Sequence, residues 1–273
     1  MTPNELQALR EAYDREQRIE IEYPGHRKET LPQVVRFVRT VETGWGYIPY
    51  SWLNGADPAD VVREQVDYFR ELNMPFEWTV CEHDSSPGLK EALLDCGFEP
   101  DLAPGDPGAV LVLDLQAVPA SLATPLREVR HITQPERLAD VIRVTEQVWG
   151  GNFTSWLQPR LRAHLAIPGY LSVYASYEQD EPVCAGWTYY PAGSSFAGLF
   201  GGSTVSAYRR RGHYTALLAA RVQEAVRRGR RYMLIYAGLE SRPVVEKNGF
   251  RLLTYSCSYE WKPFNQAQSE PDI

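Results

Sequence analysis

Arg209, Arg210 and Arg211 run directly into Gly212, at the junction between an apolar, β-prone stretch (197–205) and a strongly helix-forming one (214–228). A helix that starts at such a junction leaves its first-turn backbone N–H groups without partners, at the positive end of the helix dipole. Glycine lets a ligand approach that backbone closely, and the three guanidinium groups raise the local positive potential. The chemistry on offer is the binding of a phosphate or pyrophosphate. His213 and Tyr214 follow the glycine, and Thr215 adds a hydroxyl to its own N–H.

Positions 209–214 resemble motif A of the GNAT acetyltransferase superfamily, Arg/Gln-x-x-Gly-x-Gly/Ala. Arg209 and Gly212 fill the first two defined positions, whereas Tyr214 stands at the third. The departure is tolerable where the backbone N–H does the binding and the side chain points elsewhere. Residues 241–250 are similar to motif B of the same superfamily, a short helix closed by Gly249-Phe250. Ser241 suits an N-cap, Pro243 a first turn and Gly249 a left-handed position after the helix. Between the two motifs, 232–237 has the apolar continuity of a buried strand, and 251–261 reads as the strand that follows.

The same order of elements occurs earlier in the chain. Residues 34–41 and 76–81 read as strands around a helix at 57–72, for which Asp57 is the expected N-cap and Pro58 the first-turn residue. A second short helix, 87–98, ends in Gly97-Phe98 and leads to an apolar strand at 109–115. The loop before the long helix of this half carries no arginine, and Asp57 and Asp60 already satisfy the helix dipole. Residues 101–107 read as a Pro/Gly-rich loop, and the low-charge segment 118–125 has the character of a linker. Beyond it, a strand (127–132), two helices (134–149 and 155–165) and a hairpin (170–177 and 182–190, turning at 178–181) complete the second half.

The resemblance therefore implies an α/β (α+β) chain of two GNAT-like domains, each a mostly antiparallel central sheet flanked by helices. The expected division is 1–118, a degenerate GNAT-like domain without a phosphate loop; 119–125, a linker; 126–263, the catalytic GNAT domain; and 264–273, a polar tail. The implied reaction is acetyl transfer from acetyl-CoA, as co-substrate, to an amine. By position, Ser203, Thr204 and Val205 would pair with the pantetheine arm. Arg209, Arg210, Arg211, Gly212, His213, Tyr214 and Thr215 would hold the phosphates. The motif-B position at which many members carry a general-acid tyrosine is Val245 here, so Tyr236 is the substitute, with Tyr255 and Tyr259 behind it. Glu146 on the first helix of the second half is the candidate base. Trp149, Trp156, Trp187, Tyr189 and Tyr190 are candidates to line an acceptor pocket. The other reading, a non-catalytic acyl-CoA-binding or regulatory protein, draws on the missing tyrosine and the degenerate half.

Composition bounds the remaining possibilities. The 273 residues carry a net charge of −7, which argues against general nucleic-acid binding. No run of about 18 apolar residues predicts a membrane span, and the first residues lack the basic-then-apolar pattern of a signal peptide. The four cysteines, at 81, 96, 184 and 257, show neither zinc nor disulfide spacing. These features predict a cytoplasmic protein with no metal; that it acts on a small-molecule or peptide amine is what the resemblance implies. Monomer and homodimer both stay open.

Overall fold

The computed structural model describes residues 2–42, 44–102, 106 and 108–263. The expected tail at 264–273 and most of the 101–107 loop lie outside them. The chain forms two compact units, one running to Val110 and resuming at Leu252, the other spanning Leu111–Arg251.

In the first unit, helix α1 (Pro3–Tyr13) continues into a π-helical turn, Asp14–Ile19, before strands β1 (His26–Thr30), β2 (Val34–Arg39) and β3 (Gly46–Ser51). Helix α2 (Pro58–Glu71), strand β4 (Phe76–Cys81), helix α3 (Leu89–Asp95) and the short β5 (Glu99–Pro100) follow. Asp57 caps α2 as expected, its side chain accepting from the Ala59 N–H at 2.9 Å, with Pro58 in the first turn. The strands β1, β2 and β3 pair antiparallel, whereas β3 and β4 are parallel from Gly46↔Phe76 to Ile48↔Trp78. Their inner face carries an aromatic core in which Phe69 stacks on Phe76 at 4.1 Å, with Trp78, Phe98 and Trp261 around them.

The last strand, β12 (Arg251–Trp261), joins that sheet beside β4. It runs antiparallel to β4 from Ser256↔Cys81 to Trp261↔Phe76. The order of motifs had placed it in the second half. Conversely, β6 (Ala109–Asp114), expected to finish the first half, neighbours β11 (Tyr232–Ala237) in the second unit. The units thus differ from a division at 118 and 126 by one strand each. An apolar strand fits either sheet, so its sequence does not name its partner.

The second unit orders its strands β6, β11, β10 (Phe196–Thr204), β9 (Glu181–Tyr189), β8 (Leu171–Glu178) and β7 (Val129–Ile132). The run from β7 to β10 is antiparallel, and β10 and β11 are parallel on either side of helix α6 (His213–Arg227). Gln179 and Asp180, both with positive φ, make the tight turn between β8 and β9. The helix expected at 134–149 opens with a 3₁₀ turn, Pro135–Arg137, and continues as α4 (Leu138–Trp149). With α5 (Leu157–Leu165) it covers a core of Val141, Phe153, Leu161, Val173 and Trp187. Helix α7 (Arg242–Lys247) ends at Gly249, φ 92°, ahead of buried Phe250. Ser241 stands before α7 without a capping bond; its hydroxyl donates to the Gly238 carbonyl at 3.3 Å instead.

Candidate functional site

The parallel register of β10 and β11 runs from Phe196↔Tyr232 to Leu199↔Ile235 and stops there, although β10 continues to Thr204. At the same point the antiparallel register of β10 with β9 shifts, between Phe200 and Ser203. Gly201 and Gly202 form this bulge. A Cβ at Gly201 would run into the Trp187 ring, and its φ of 63° lies in the left-handed region that favours glycine. From Phe200 onward β10 therefore opens an edge to an extended ligand that can pair with a strand. Ser203, Thr204 and Val205 lie along it. The Ser203 and Thr204 hydroxyls turn back to the Gly201 carbonyl (3.2 Å) and Cys184 Sγ (3.1 Å), and the Val205 N–H bonds to Val183 (3.0 Å). What these residues offer a ligand is backbone rather than side chain.

Past that edge, a 3₁₀ turn (Ser206–Tyr208) and the arginine loop lead into α6. Arg209 Nε donates to the Thr204 carbonyl at 3.3 Å, Arg210 takes a left-handed φ of 62°, and Arg211 lies over the Tyr208 ring. Gly212, φ 88°, is the N-cap of α6 and brings no side chain to it. The first-turn N–H groups of His213, Tyr214 and Thr215 are thus left for a ligand, with the arginines beside them. A cavity of about 480 Å³ adjoins this helix start, lined by Ser121, Thr124, Arg127, Arg211, Gly212 and Thr215. Arg127 escaped the sequence reading. It stands just before β7, where a lone arginine reads as strand-edge decoration, and its nearest carboxylate oxygen, on Glu178, is 3.6 Å away.

The Tyr214 ring packs onto Gly202, so the bulk at the third motif position is taken up by the glycine bulge rather than by the loop. Burial pushes its phenol above the usual tyrosine range. The His213 imidazole is buried between Ser176 Oγ, 2.9 Å from Nδ1, and Glu178 Oε2, 3.2 Å from Nε2. Burial and the charge of Arg127 lower its pKa, which favours the neutral imidazole at physiological pH.

The candidate acid and base are placed differently. Tyr236 ends β11 with 47% of its surface exposed, its ring 6.4 Å from that of Phe200, across the point where the strands part. Glu146 accepts from Thr154 twice, from the N–H (3.1 Å) and the hydroxyl (2.9 Å), tying the end of α4 to the loop that follows. Val245 is fully buried. Tyr255 and Tyr259 sit on β12, in the first unit. Trp187 and Tyr190 are buried, while Tyr189 packs edge-on to Phe200 at 5.3 Å and meets His164 Nδ1 through its hydroxyl at 3.0 Å.

Cys81, His83 and Asp84 cluster in the first unit with ligand atoms within 4.8 Å of one another. Both Asp84 oxygens accept from Arg18, at 2.7 and 2.6 Å, so a guanidinium already occupies the place of a cation. Burial pushes the Cys81 thiol up to about 12, far from a metal-binding thiolate.

The sequence matches no protein-family profile and no curated protein. Solved structures do match. A GCN5-related N-acetyltransferase from Kribbella flavida superposes with a TM-score of 0.62 at 13% identity, covering 94% of each chain. One from Sphaerobacter thermophilus gives 0.60 at 14%, over 84% of this chain and 76% of that one. A tandem GNAT protein from the clavulanic acid biosynthesis pathway gives 0.59 at 14%, over 89% and 85%.

Proposed function

With the tandem GNAT fold as the premise, we propose that the chain is an N-acetyltransferase that uses acetyl-CoA as co-substrate and an amine as acceptor. The observation that carries this reading is the juxtaposition in the second unit: a strand edge opened by a glycine bulge leads directly into a helix start flanked by arginines. A ligand that joins an extended, amide-bearing arm to a pyrophosphate suits both parts.

In this reading the backbone of Ser203, Thr204 and Val205 pairs with the pantetheine arm. The N–H groups of Gly212 to Thr215 hold the pyrophosphate, with Arg209, Arg210 and Arg211 neutralising its charge. Arg127 and Arg211 flank the adjoining cavity as a second anion contact. Once an amine has attacked the thioester carbonyl, the bond to sulfur breaks and the thiolate takes a proton. Tyr236 is the donor we assign, since its exposed hydroxyl-bearing ring stands at the mouth of the opening. For the base, Glu146 remains the candidate on α4, with Thr154 fixing its carboxylate. The acceptor is an amine, small-molecule or peptide, and the site of action we infer is the cytoplasm. Among the described residues no helix is long and apolar enough to cross a membrane.

A second reading, a non-catalytic acyl-CoA-binding protein, is favoured by Val245, which buries an aliphatic group where the family's acid often stands. Thiol release from acetyl-CoA in the presence of a panel of amines separates the two. Turnover on any amine supports the enzyme. Tight binding without turnover supports the carrier, and absence of binding defeats both.

A further inference from the structure

Arg221 is one of the largest fully buried side chains of the molecule, 1% exposed in the middle of α6. In sequence it reads as one more charge on an amphipathic helix. In the structure its guanidinium lies under the sheet, where Nε donates to Thr188 Oγ1 at 2.9 Å and Nη2 donates to the carbonyls of Trp187 and of Phe200, the latter at 3.0 Å. Among the described residues no ion pair reaches it. The groups that act on its charge are the neutral Tyr214, Tyr190, Cys184 and Tyr174, and burial pulls its pKa down to about 10, which leaves it a cation at neutral pH. Burying a cation without a carboxylate is costly, and an apolar side chain would serve the core better. The arrangement calls for a reason other than stability.

The reason lies in the two carbonyls. Phe200 and Trp187 face each other across β10 and β9 in the last pair before the register shifts, and the next pair is Ser203↔Ala185. Gly201 and Gly202 on β10 thus oppose Gly186 alone on β9, which leaves backbone groups of the bulge outside the ladder. A Cβ at Gly186 would sit 2.7 Å from Arg221 Nη1, so the guanidinium fills the space that a side chain there would need. One planar, charged donor set ties together both strands of the bulge, and Phe200 is also the first residue of β10 beyond its pairing with β11.

We propose that Arg221 is the positioning residue for acyl-CoA binding: by holding the Trp187 and Phe200 carbonyls it fixes the glycine bulge, and with it the course of residues 203–205 along the open edge of β10. The inference rests on the assignment of that edge to the pantetheine arm. It also predicts a graded effect, because the arginine loop at 209–212 meets that edge through one bond, Arg209 Nε to the Thr204 carbonyl at 3.3 Å, so phosphate contacts should weaken less than those of the pantetheine arm.

The test compares the wild type with Arg221→Met and Arg221→Lys, measuring the melting temperature, the Kd for acetyl-CoA, the Kd for adenosine 3′,5′-bisphosphate as a probe of the loop alone, and the KM of each substrate. We expect Arg221→Met to raise the acetyl-CoA Kd and KM roughly tenfold, with the bisphosphate Kd and the acceptor KM within about twofold of wild type. Arg221→Lys, which keeps a charged donor, should recover most of the loss. A lowered melting temperature with acetyl-CoA affinity unchanged, or with the bisphosphate affinity falling in step, would show a merely structural arginine and overturn the proposal. Should the methionine variant not fold, Arg221→Gln takes its place: a rise in acetyl-CoA Kd that Arg221→Lys largely reverses supports the role, and an unaltered Kd refutes it. Absence of acetyl-CoA binding by the wild type would defeat the functional assignment as well, whereas wild-type binding that ignores both substitutions defeats this inference alone.

Discussion

The two units repeat one arrangement and finish it in opposite ways. Each has a parallel strand pair that parts after three or four residues, β3 from β4 beyond Ile48↔Trp78 and β10 from β11 beyond Leu199↔Ile235, with a long helix between its two strands. In each, a buried guanidinium takes the carbonyl of the first residue past the pairing: Arg18 Nε donates to Pro49 at 2.8 Å, and Arg221 Nη2 to Phe200 at 3.0 Å. The anions differ. Arg18 reaches from the π-helical turn to both oxygens of Asp84, just beyond β4, and to Asp14 at 2.7 Å, so its charge is neutralised across the parting strands. Arg221 meets carbonyls and a hydroxyl only. The helix starts follow the same contrast: the Asp57 carboxylate caps α2, whereas Gly212 and three arginines stand before α6. One copy has closed its polar groups upon themselves, and the other leaves an edge and a helix start for a ligand.

The largest effect expected from breaking this contrast follows from Arg18→Met. It strands the buried Asp84 carboxylate, a change that costs about 3–5 kcal/mol. The melting temperature should drop sharply while acetyl-CoA affinity at a temperature where the protein stays folded is kept. A selective loss of affinity would mean that the first unit takes part in binding. Gly212→Val acts on the other side. It forces a branched side chain into φ 88° and places a Cβ on the ligand's approach, and a penalty of ~1–3 kcal/mol on binding corresponds to roughly 5- to 150-fold in Kd. Isothermal titration measures it, and an unaltered Kd would remove the loop from the site.

A smaller change, Asp57→Ala, should cost about 1 kcal/mol through the lost cap of α2. Chemical denaturation reads that cost. If a second acetyl-CoA then bound, the cap alone would be what silences the first unit. The smallest effect concerns pH. Burial pushes Glu77, which bonds Ser258 on β12, up to about 7, and pushes Asp101 up to about 6. A carboxyl whose folded pKa lies above its unfolded one binds a proton on folding. Its favourable contribution is complete below the unfolded value near 4.5 and is lost as pH rises through 7. Glu77→Gln should therefore stabilise the fold more at pH 8 than at pH 5, by about 1 kcal/mol or less after solvent screening, read as a larger rise in melting temperature at pH 8. An equal change at both pH values would contradict the shift.

What the sequence made legible was local. Asp57 capping α2, the turn at Gln179-Asp180, both Gly-Phe helix ends and the strand–arginine loop–helix junction all depend on chemistry within a few residues. What it hid was long-range. The strand 251–261 carries an alternating pattern that suits either sheet, and only pairing with β4 reveals which one it joins. Nothing in the sequence singled out Arg18, Arg221 or Arg127, because a helix or strand-edge arginine becomes informative only when its partners, 31 residues away at Pro49 or 21 at Phe200, are known. Glu146 could be placed on its helix from the sequence, but its tie to Thr154, eight residues on, could not.

The most direct test of the account is calorimetric titration of the full chain with acetyl-CoA, for the wild type and for Gly212→Val. The account predicts one site per chain, lost or strongly weakened in the variant. Two sites per chain, or a single site that the variant leaves intact, would place binding outside the arginine loop and contradict it.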